Sequence, residues 1–443
     1  MNGVLAASIV AAVLAVACSS PSSPSGCDPR ALTDGLCGDA TRYLNDASFR
    51  RSELVLSLVD PKNGYSALRL ANYGTDAPGN WDALQEWNPR VARVENTELD
   101  AGVDANAALP ASATALAVTP DTTRGSIAAL VALGAQAFFR YPVQMLGSAA
   151  YGLASRDRAT RYGFWQSASD GAGGIVRAEM ADGSAAFAMT CATCHARQDG
   201  ETIADGLPNA ALDLGALLAD ASGAPSAFAT AARAWGPGRL DVSSTTGMEP
   251  VKFPDLRAVR DEPYLQADAT VEQNDLVTLA IRIETLIITS QNDVLRPPRP
   301  IALGLAAYVW SLSSALPTTG ASSPDALAGA RVFDATCSGC HTRPEYSGSP
   351  VALDVVLTDP TVGNSPERGT GFYRVPSLHG VSTRGPLLHD ASVTDLPSLF
   401  DPARQDTSYT GGRLGPGPVH GHPFGLERAP EDRAKLIAFL QAL

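Results

Sequence analysis

The sequence predicts a mainly α protein in which two tandem units of similar build follow a mostly helical N-terminal region. Three observations carry that prediction. The pentapeptide Cys-x-x-Cys-His occurs twice, as Cys191-Ala-Thr-Cys194-His195 and Cys337-Ser-Gly-Cys340-His341. The segments around the two copies match in the same order, the mark of an internal duplication. Each copy also closes on an apolar run, Ala302–Leu312 and Arg433–Leu443, with apolar residues at three- and four-residue spacing and an aromatic near the end.

The pentapeptide has a chemical logic. Two thiols two residues apart on a helical turn can each add across one vinyl group of a haem, and the following histidine is then placed to ligate the iron. The alternatives are a zinc site or a redox dithiol. Both are disfavoured because each copy carries the adjacent histidine and a similar lead-in. Two covalently attached haem c groups are therefore expected, on Cys191, Cys194, Cys337 and Cys340, with His195 and His341 as proximal ligands.

From the N-terminus, Val4–Val16 is an apolar stretch too short to span a membrane and of the right length for an export signal. Small residues before Cys18 resemble the bacterial lipoprotein processing box. That resemblance implies residues 1–17 as signal, lipidation of Cys18, and a periplasm-facing outer-membrane lipoprotein. A plain cleaved signal and a soluble periplasmic protein is the alternative. Residues 18–39 read as a tether. In it Cys27 and Cys37 are close enough to form a small disulfide loop in an oxidising compartment, and a pair of free thiols is the other reading.

Residues 40–160 form an N-terminal accessory region without a chemical motif. It holds the apolar run Leu54–Val59, a turn at Pro61-Lys62-Asn63-Gly64, and a helix-like run from Ile127 to Phe139. Residues 161–316 form the first haem unit, 317–324 a Ser/Pro-rich linker, and 325–443 the second haem unit. Gly183-Ser-Ala-Ala-Phe-Ala-Met-Thr leads into Cys191 as Gly329-Ala-Arg-Val-Phe-Asp-Ala-Thr leads into Cys337. Lys252-Phe-Pro-Asp-Leu-Arg-Ala-Val259 matches Arg374-Val-Pro-Ser-Leu-His-Gly-Val381. After a one-residue shift, Pro263-Tyr-Leu-Gln266 matches Pro386-Leu-Leu-His389. The arrangement resembles the cytochrome c fold, in which the first and last helices cross beside the haem. Between shared segments, copy one has the apolar run Leu276–Ile288, whereas copy two has a Gly/Pro-rich loop, Gly411–Gly425.

Six histidines and five methionines constrain the sixth ligands. The last methionine is Met248, so the second unit contains no Met. His422 is the first candidate there because it lies in the loop found only in copy two; His420 is the second, and His389 and His379 follow. His379 aligns with Arg257, a pattern that fits a donor to a propionate or a carbonyl. Up to Cys340 the only histidine is His195, so the first iron takes Met248, an unusual ligand, water or nothing. Met180 and Met189 are weaker candidates. Lys252 and Arg374 open the repeated segment and are read as propionate partners or as surface charge.

From about Gly163 the chain resembles the bacterial di-haem cytochrome c peroxidase and rubber-oxygenase-like superfamily. The carrying residues are the two haem motifs, Tyr373-Arg-Val-Pro-Ser-Leu-His-Gly-Val and Gly385-Pro-Leu-Leu-His-Asp-Ala-Ser-Val-Thr-Asp-Leu396. The family's peroxidases carry a His soon after the first motif with a nearby catalytic Glu. Here Ala196–Ala210 has no His, and Glu201 stands alone. The expected function is therefore electron carriage in the cell envelope with redox proteins as partners. The alternative is a peroxidase- or oxygenase-like enzyme with an open first haem, whose pocket Phe164, Trp165, Phe187 and Trp235 could line. A net charge of −13 disfavours nucleic acid and anionic lipid surfaces as partners.

Overall fold

Two crossings of apolar helices organise the chain. The computed structural model describes residues 38–443 apart from 78, 105, 170, 242, 244–248, 317–319 and 321. The export segment, Cys18, the Cys27/Cys37 pair and Met248 lie outside the described residues. Helices predominate and the sheets are small, as the mainly α expectation has it. No helix among the described residues is long and apolar enough to cross a membrane.

The N-terminal region begins with three helices, α1 (Asp39–Asn45), α2 (Ala47–Ser57) and α3 (Gly64–Tyr73). Asp46 and Asn63 cap α2 and α3 by accepting from Phe49 N and Ser66 N. Helix α4 (Ile127–Arg140) follows and buries Ile127, Leu130, Leu133, Gly134, Ala137 and Phe138, one stripe at helical spacing. The first pentapeptide forms the short helix α5 (Cys191–His195). Helix α6 (Leu276–Ser290), capped by Asp275, and helix α7 (Arg299–Ser311) are apolar on nearly every face, and both lie in the interior. Helices α8 (Pro324–Thr336) and α9 (Pro430–Leu440) each start with proline in the first turn, where no N–H is missed.

The crossings are built alike. A Cβ at Gly134 would lie 1.9 Å from the carbonyl oxygen of Gly304, so α4 and α7 touch backbone to backbone. A Cβ at Gly329 would lie 1.9 Å from the carbonyl oxygen of Lys435, where α8 crosses α9. Four residues after each glycine stands a phenylalanine: Phe138 packs on Tyr308 at 5.4 Å, and Phe333 on Phe439 at 5.2 Å. The counterpart of Gly329-Ala-Arg-Val-Phe333 is therefore Gly134-Ala-Gln-Ala-Phe138, not the Gly183 segment.

That segment is a strand. Residues between α4 and α5 supply three strands, β2 (Gln144–Met145), β3 (Ile175–Glu179) and β4 (Ala185–Met189), which with β1 (Val91–Arg93) from before α4 form a sheet in the order β1-β3-β4-β2. Gly183, at φ 79°, turns the β3–β4 hairpin, and the ladder on both sides of β4 claims the backbone groups a helix would need. Residues 40–140 and 259–310 share one core, which includes Tyr43, Phe49, Leu130, Phe138, Ile281, Leu305 and Trp310.

The repeated segments pack on each other reciprocally. Lys252 N donates to His389 O (2.9 Å) and Arg374 N to Ala267 O (3.0 Å). Arg257 Nη2 donates to Thr383 Oγ1 (2.8 Å), while His379 Nδ1 lies 2.9 Å from Asp261 Oδ2. Each contact is the image of the other under exchange of the copies, an isologous interface within one chain. Left-handed residues recur in step, Gln266 with Leu388 and Ala269 with Ala391, and Leu265–Val271 bridges as Leu387–Val393 does. The one-residue shift read from the sequence is thereby corrected: Gln266 corresponds to Leu388, and His389 to Ala267. Asp268-Ala-Thr-Val271 and Asp390-Ala-Ser-Val393 hold the common register.

Candidate haem-binding sites

The first pentapeptide hangs from a tight turn. Thr190 and Thr193 form a reciprocal cap on α5, and both hydroxyls donate to Gly174 O, at 2.8 and 2.9 Å. Gly174 has φ 65°, and a Cβ there would lie 2.6 Å from Thr193 N, so only glycine fits. Asn209 N donates to Cys194 O (2.9 Å), and Trp165 Nε1 to Ala192 O (3.0 Å), which fixes the helix from outside. His195 Nδ1 lies 3.1 Å from Pro254 O. A carbonyl can only accept, so Nδ1 carries the proton and Nε2 is left as a metal ligand.

The second pentapeptide continues from the end of α8, with Cys340 N and His341 N donating to Cys337 O at 3.2 and 2.9 Å. His341 Nδ1 lies 3.0 Å from Tyr346 O, and Pro376 O, the counterpart of Pro254 O, also faces the ring. Both proximal histidines thus share one tautomer. Burial lowers the pKa of His195 to about 4, opposed by the Pro254 carbonyl and Asp255, and lowers that of His341 against the Tyr346 carbonyl. Burial likewise pushes the Cys191 and Cys194 thiols up to about 12 and Cys337 to about 11.

The raised thiols are unlike those of a reactive dithiol, which needs a lowered thiol pKa. Among the described residues no group of three or more His, Cys, Asp or Glu is placed to hold a metal ion. The four cysteines form no disulfide. All four cysteines and the two histidines are partly buried. The residues fit thioether attachment of haem with one imidazole ready on each iron.

His422 lies opposite His341 in the second site. Its ring faces that of His341 with centroids 6.4 Å apart and planes at 56°. Two imidazoles bound through metal–nitrogen bonds of about 2.0–2.1 Å, with a ring radius of about 1.1 Å, place their centroids roughly 6.3 Å apart. The separation leaves room for one metal ion between the two rings. Burial, then His341 and Arg404, lower the His422 pKa to about 4, which keeps the imidazole neutral at any ordinary pH. Its Nδ1 is buried without a partner, and Phe424 packs edge-on at 5.4 Å.

The other histidines are engaged elsewhere. His420 is exposed and bonds Gln405 Oε1 through Nδ1 (3.1 Å). His389 stacks on Tyr373 at 4.3 Å and 25°, with Nε2 3.3 Å from the Tyr373 hydroxyl. His379 is taken by Asp261 in the inter-copy contact. Of the candidate methionines, Met189 is core in β4 and Met180 sits at the β3–β4 turn. Neither Lys252 nor Arg374 is surface charge. Arg374 pairs with the buried Glu262, while Lys252 Nζ donates to Pro386 O (3.0 Å) and no carboxylate among the described residues reaches it. Burial, then Arg384 and Arg374, lower the Lys252 pKa to about 7. Phe164, Trp165, Phe187 and Trp235 are core residues, and Glu201 is exposed.

Sequence reasoning missed Arg404, which no motif marks, and the carbonyls of Pro254, Pro376 and Tyr346. The repeated prolines were visible; that their carbonyls orient the ligands was not.

No family model matches the chain, and no curated protein matches it. Solved structures to which it is similar include a MauG-like protein associated with microbial copper homeostasis. That match has 17% identity and a TM-score of 0.32, covering 47% of this chain and 78% of the other. The diheme peroxidase BthA from Burkholderia thailandensis matches with 16% identity and a TM-score of 0.33, covering 80% and 95%. Hydrazine synthase from Kuenenia stuttgartiensis matches with 13% identity and a TM-score of 0.30, covering 46% and 75%. The chain is thus similar to a MauG-like protein and to a diheme peroxidase.

Proposed function

We propose that the chain is a di-haem c-type cytochrome that carries electrons in the bacterial cell envelope. The observation that supports it most directly is the facing pair His341 and His422, set at the spacing of two axial ligands. Haem, when bound, supplies a one-electron iron centre. The chain's own residues then do four things. Cys191, Cys194, Cys337 and Cys340 attach the group, and the Pro254, Pro376 and Tyr346 carbonyls hold the proximal imidazoles with Nε2 free. The helix crossings exclude water from one side, and His422 closes the second iron against outside ligands. Such a site moves an electron with little rearrangement. Lys252, without a carboxylate partner among the described residues, is suited to a propionate. Helix α4 serves as the first helix of the first haem unit.

The second reading is an enzyme whose first haem binds peroxide or oxygen while the second supplies electrons. It is favoured by the inequality of the copies: α6 stands where copy two has its ligand loop, and no second histidine exists before Cys340. Export, a lipid on Cys18, a Cys27–Cys37 disulfide and Met248 as a ligand of the first iron remain part of the proposal. So do redox proteins as partners.

Mass spectrometry and the pyridine haemochrome spectrum of the exported protein test the reading. Two thioether-linked haems are expected, one lost in Cys191→Ser/Cys194→Ser and the other in Cys337→Ser/Cys340→Ser. A protein exported with zinc, or with intact thiols and no haem, contradicts it. Rapid turnover of hydrogen peroxide by the holo-protein transfers support to the enzyme reading.

A further inference from the structure

Arg404 is fully buried. It lies in the short turn Pro402–Gln405, capped by Asp401 through Ala403 N. Its guanidinium has no ion-pair partner among the described residues; every bond it makes is to a carbonyl. Nε donates to Leu399 O (2.9 Å), Nη1 to Val419 O (2.5 Å), and Nη2 to both Gly421 O (2.8 Å) and His422 O (2.9 Å). Val419 N donates back to Arg404 O (2.6 Å), and His422 N to Val356 O (2.7 Å).

The segment held in this way has no regular structure of its own. Gly421 at φ 97° and His422 at φ 46° are both left-handed, a conformation in which a histidine is strained. Loop carbonyls without a ladder need partners when buried. A planar fork with five donors can reach three successive turns of such a loop, whereas an ammonium cannot. Burying a guanidinium without a carboxylate is costly, so the bonds it makes must hold a geometry that matters.

We propose that Arg404 is the positioning residue that presents His422 to the second iron, by tying the carbonyls of Val419, Gly421 and His422 into the one loop conformation in which the imidazole faces His341. The inference rests on the reading of His422 as an axial ligand.

The test uses the exported holo-protein and its Arg404→Lys and Arg404→Gln variants, with cyanide as the probe. Haem content, thermal midpoint, low-temperature EPR and cyanide affinity of the second haem are measured together. In Arg404→Gln, cyanide is expected to bind the second haem at least about tenfold more tightly than in the wild type. Arg404→Lys should fall between them, because an outside ligand gains in proportion to the time His422 spends off the iron. A lowered thermal midpoint with an unchanged low-spin signal and unchanged cyanide affinity overturns the proposal, since a merely structural arginine would give that result. His422→Ala separates the two ideas. If that variant keeps a low-spin, cyanide-indifferent second haem, the axial-ligand reading itself falls. If it turns high-spin while both Arg404 variants match the wild type, only the role of Arg404 falls. Should Arg404→Gln fail to accumulate, Arg404→Lys decides, because it keeps the charge and loses the fork.

Discussion

Each proximal histidine is held through Nδ1 by a backbone carbonyl, so the ring orientation is set by the chain rather than by another side chain. Titratable groups away from these sites have their own consequences. Glu53, on α2, is half-buried near Asp275 and Asp39; burial first, then those two carboxylates, raise its pKa to about 7, with Arg42 opposing. In the unfolded chain the group titrates near 4.5, so between these values the folded state binds more protons. The stability that protonated Glu53 lends is complete below about 4.5 and is lost as pH rises through about 7. Glu53→Gln should therefore flatten the pH profile of the thermal midpoint. Discounted for solvent screening of this half-buried group, the expected gain is about 1 kcal/mol at pH 8 and none at pH 4. A variant that follows the wild-type profile at every pH contradicts this assignment.

At the scale of elements, the two helix crossings depend on glycine. Gly134→Ala forces a methyl into the carbonyl of Gly304, and Gly329→Ala does the same at Lys435. Each should cost at least about 2 kcal/mol, felt as a lower melting temperature at its own haem. Unfolding followed at the haem absorbance of single-haem variants checks this; equal effects on both haems would show that the crossings do not belong to separate units. The second crossing was legible because Phe333 stands four residues before Cys337. The first was obscured by distance. Gly-Ala-x-x-Phe was present at Gly134, but an inserted sheet separates it from Cys191, and Gly183 offered a nearer, false match. The place of His422 opposite His341 was legible by elimination, since the second unit has no methionine and its extra loop holds the histidine. Arg404 was not, because an arginine that binds only carbonyls leaves no pattern in sequence.

Across the whole molecule, the reciprocal contacts fix how the two repeated segments face each other. Arg257 with Thr383 and His379 with Asp261 come from equivalent positions, and the Arg374–Glu262 pair lies where salt screens weakly. Residues 40–140 brace this arrangement: Gly64 N and Tyr65 N donate to the carbonyls of Pro366 and Glu367 in the second copy. The proposal that His341 and His422 share one iron would make the second haem closed and suited to carrying electrons. Low-temperature EPR of the oxidised holo-protein and of His422→Ala, with and without cyanide, tests that claim most directly. In the wild type the second haem is expected to give a low-spin signal that ignores cyanide. In His422→Ala one haem should become high-spin and convert to low-spin when cyanide is added. A His422→Ala protein whose spectrum equals that of the wild type would contradict it.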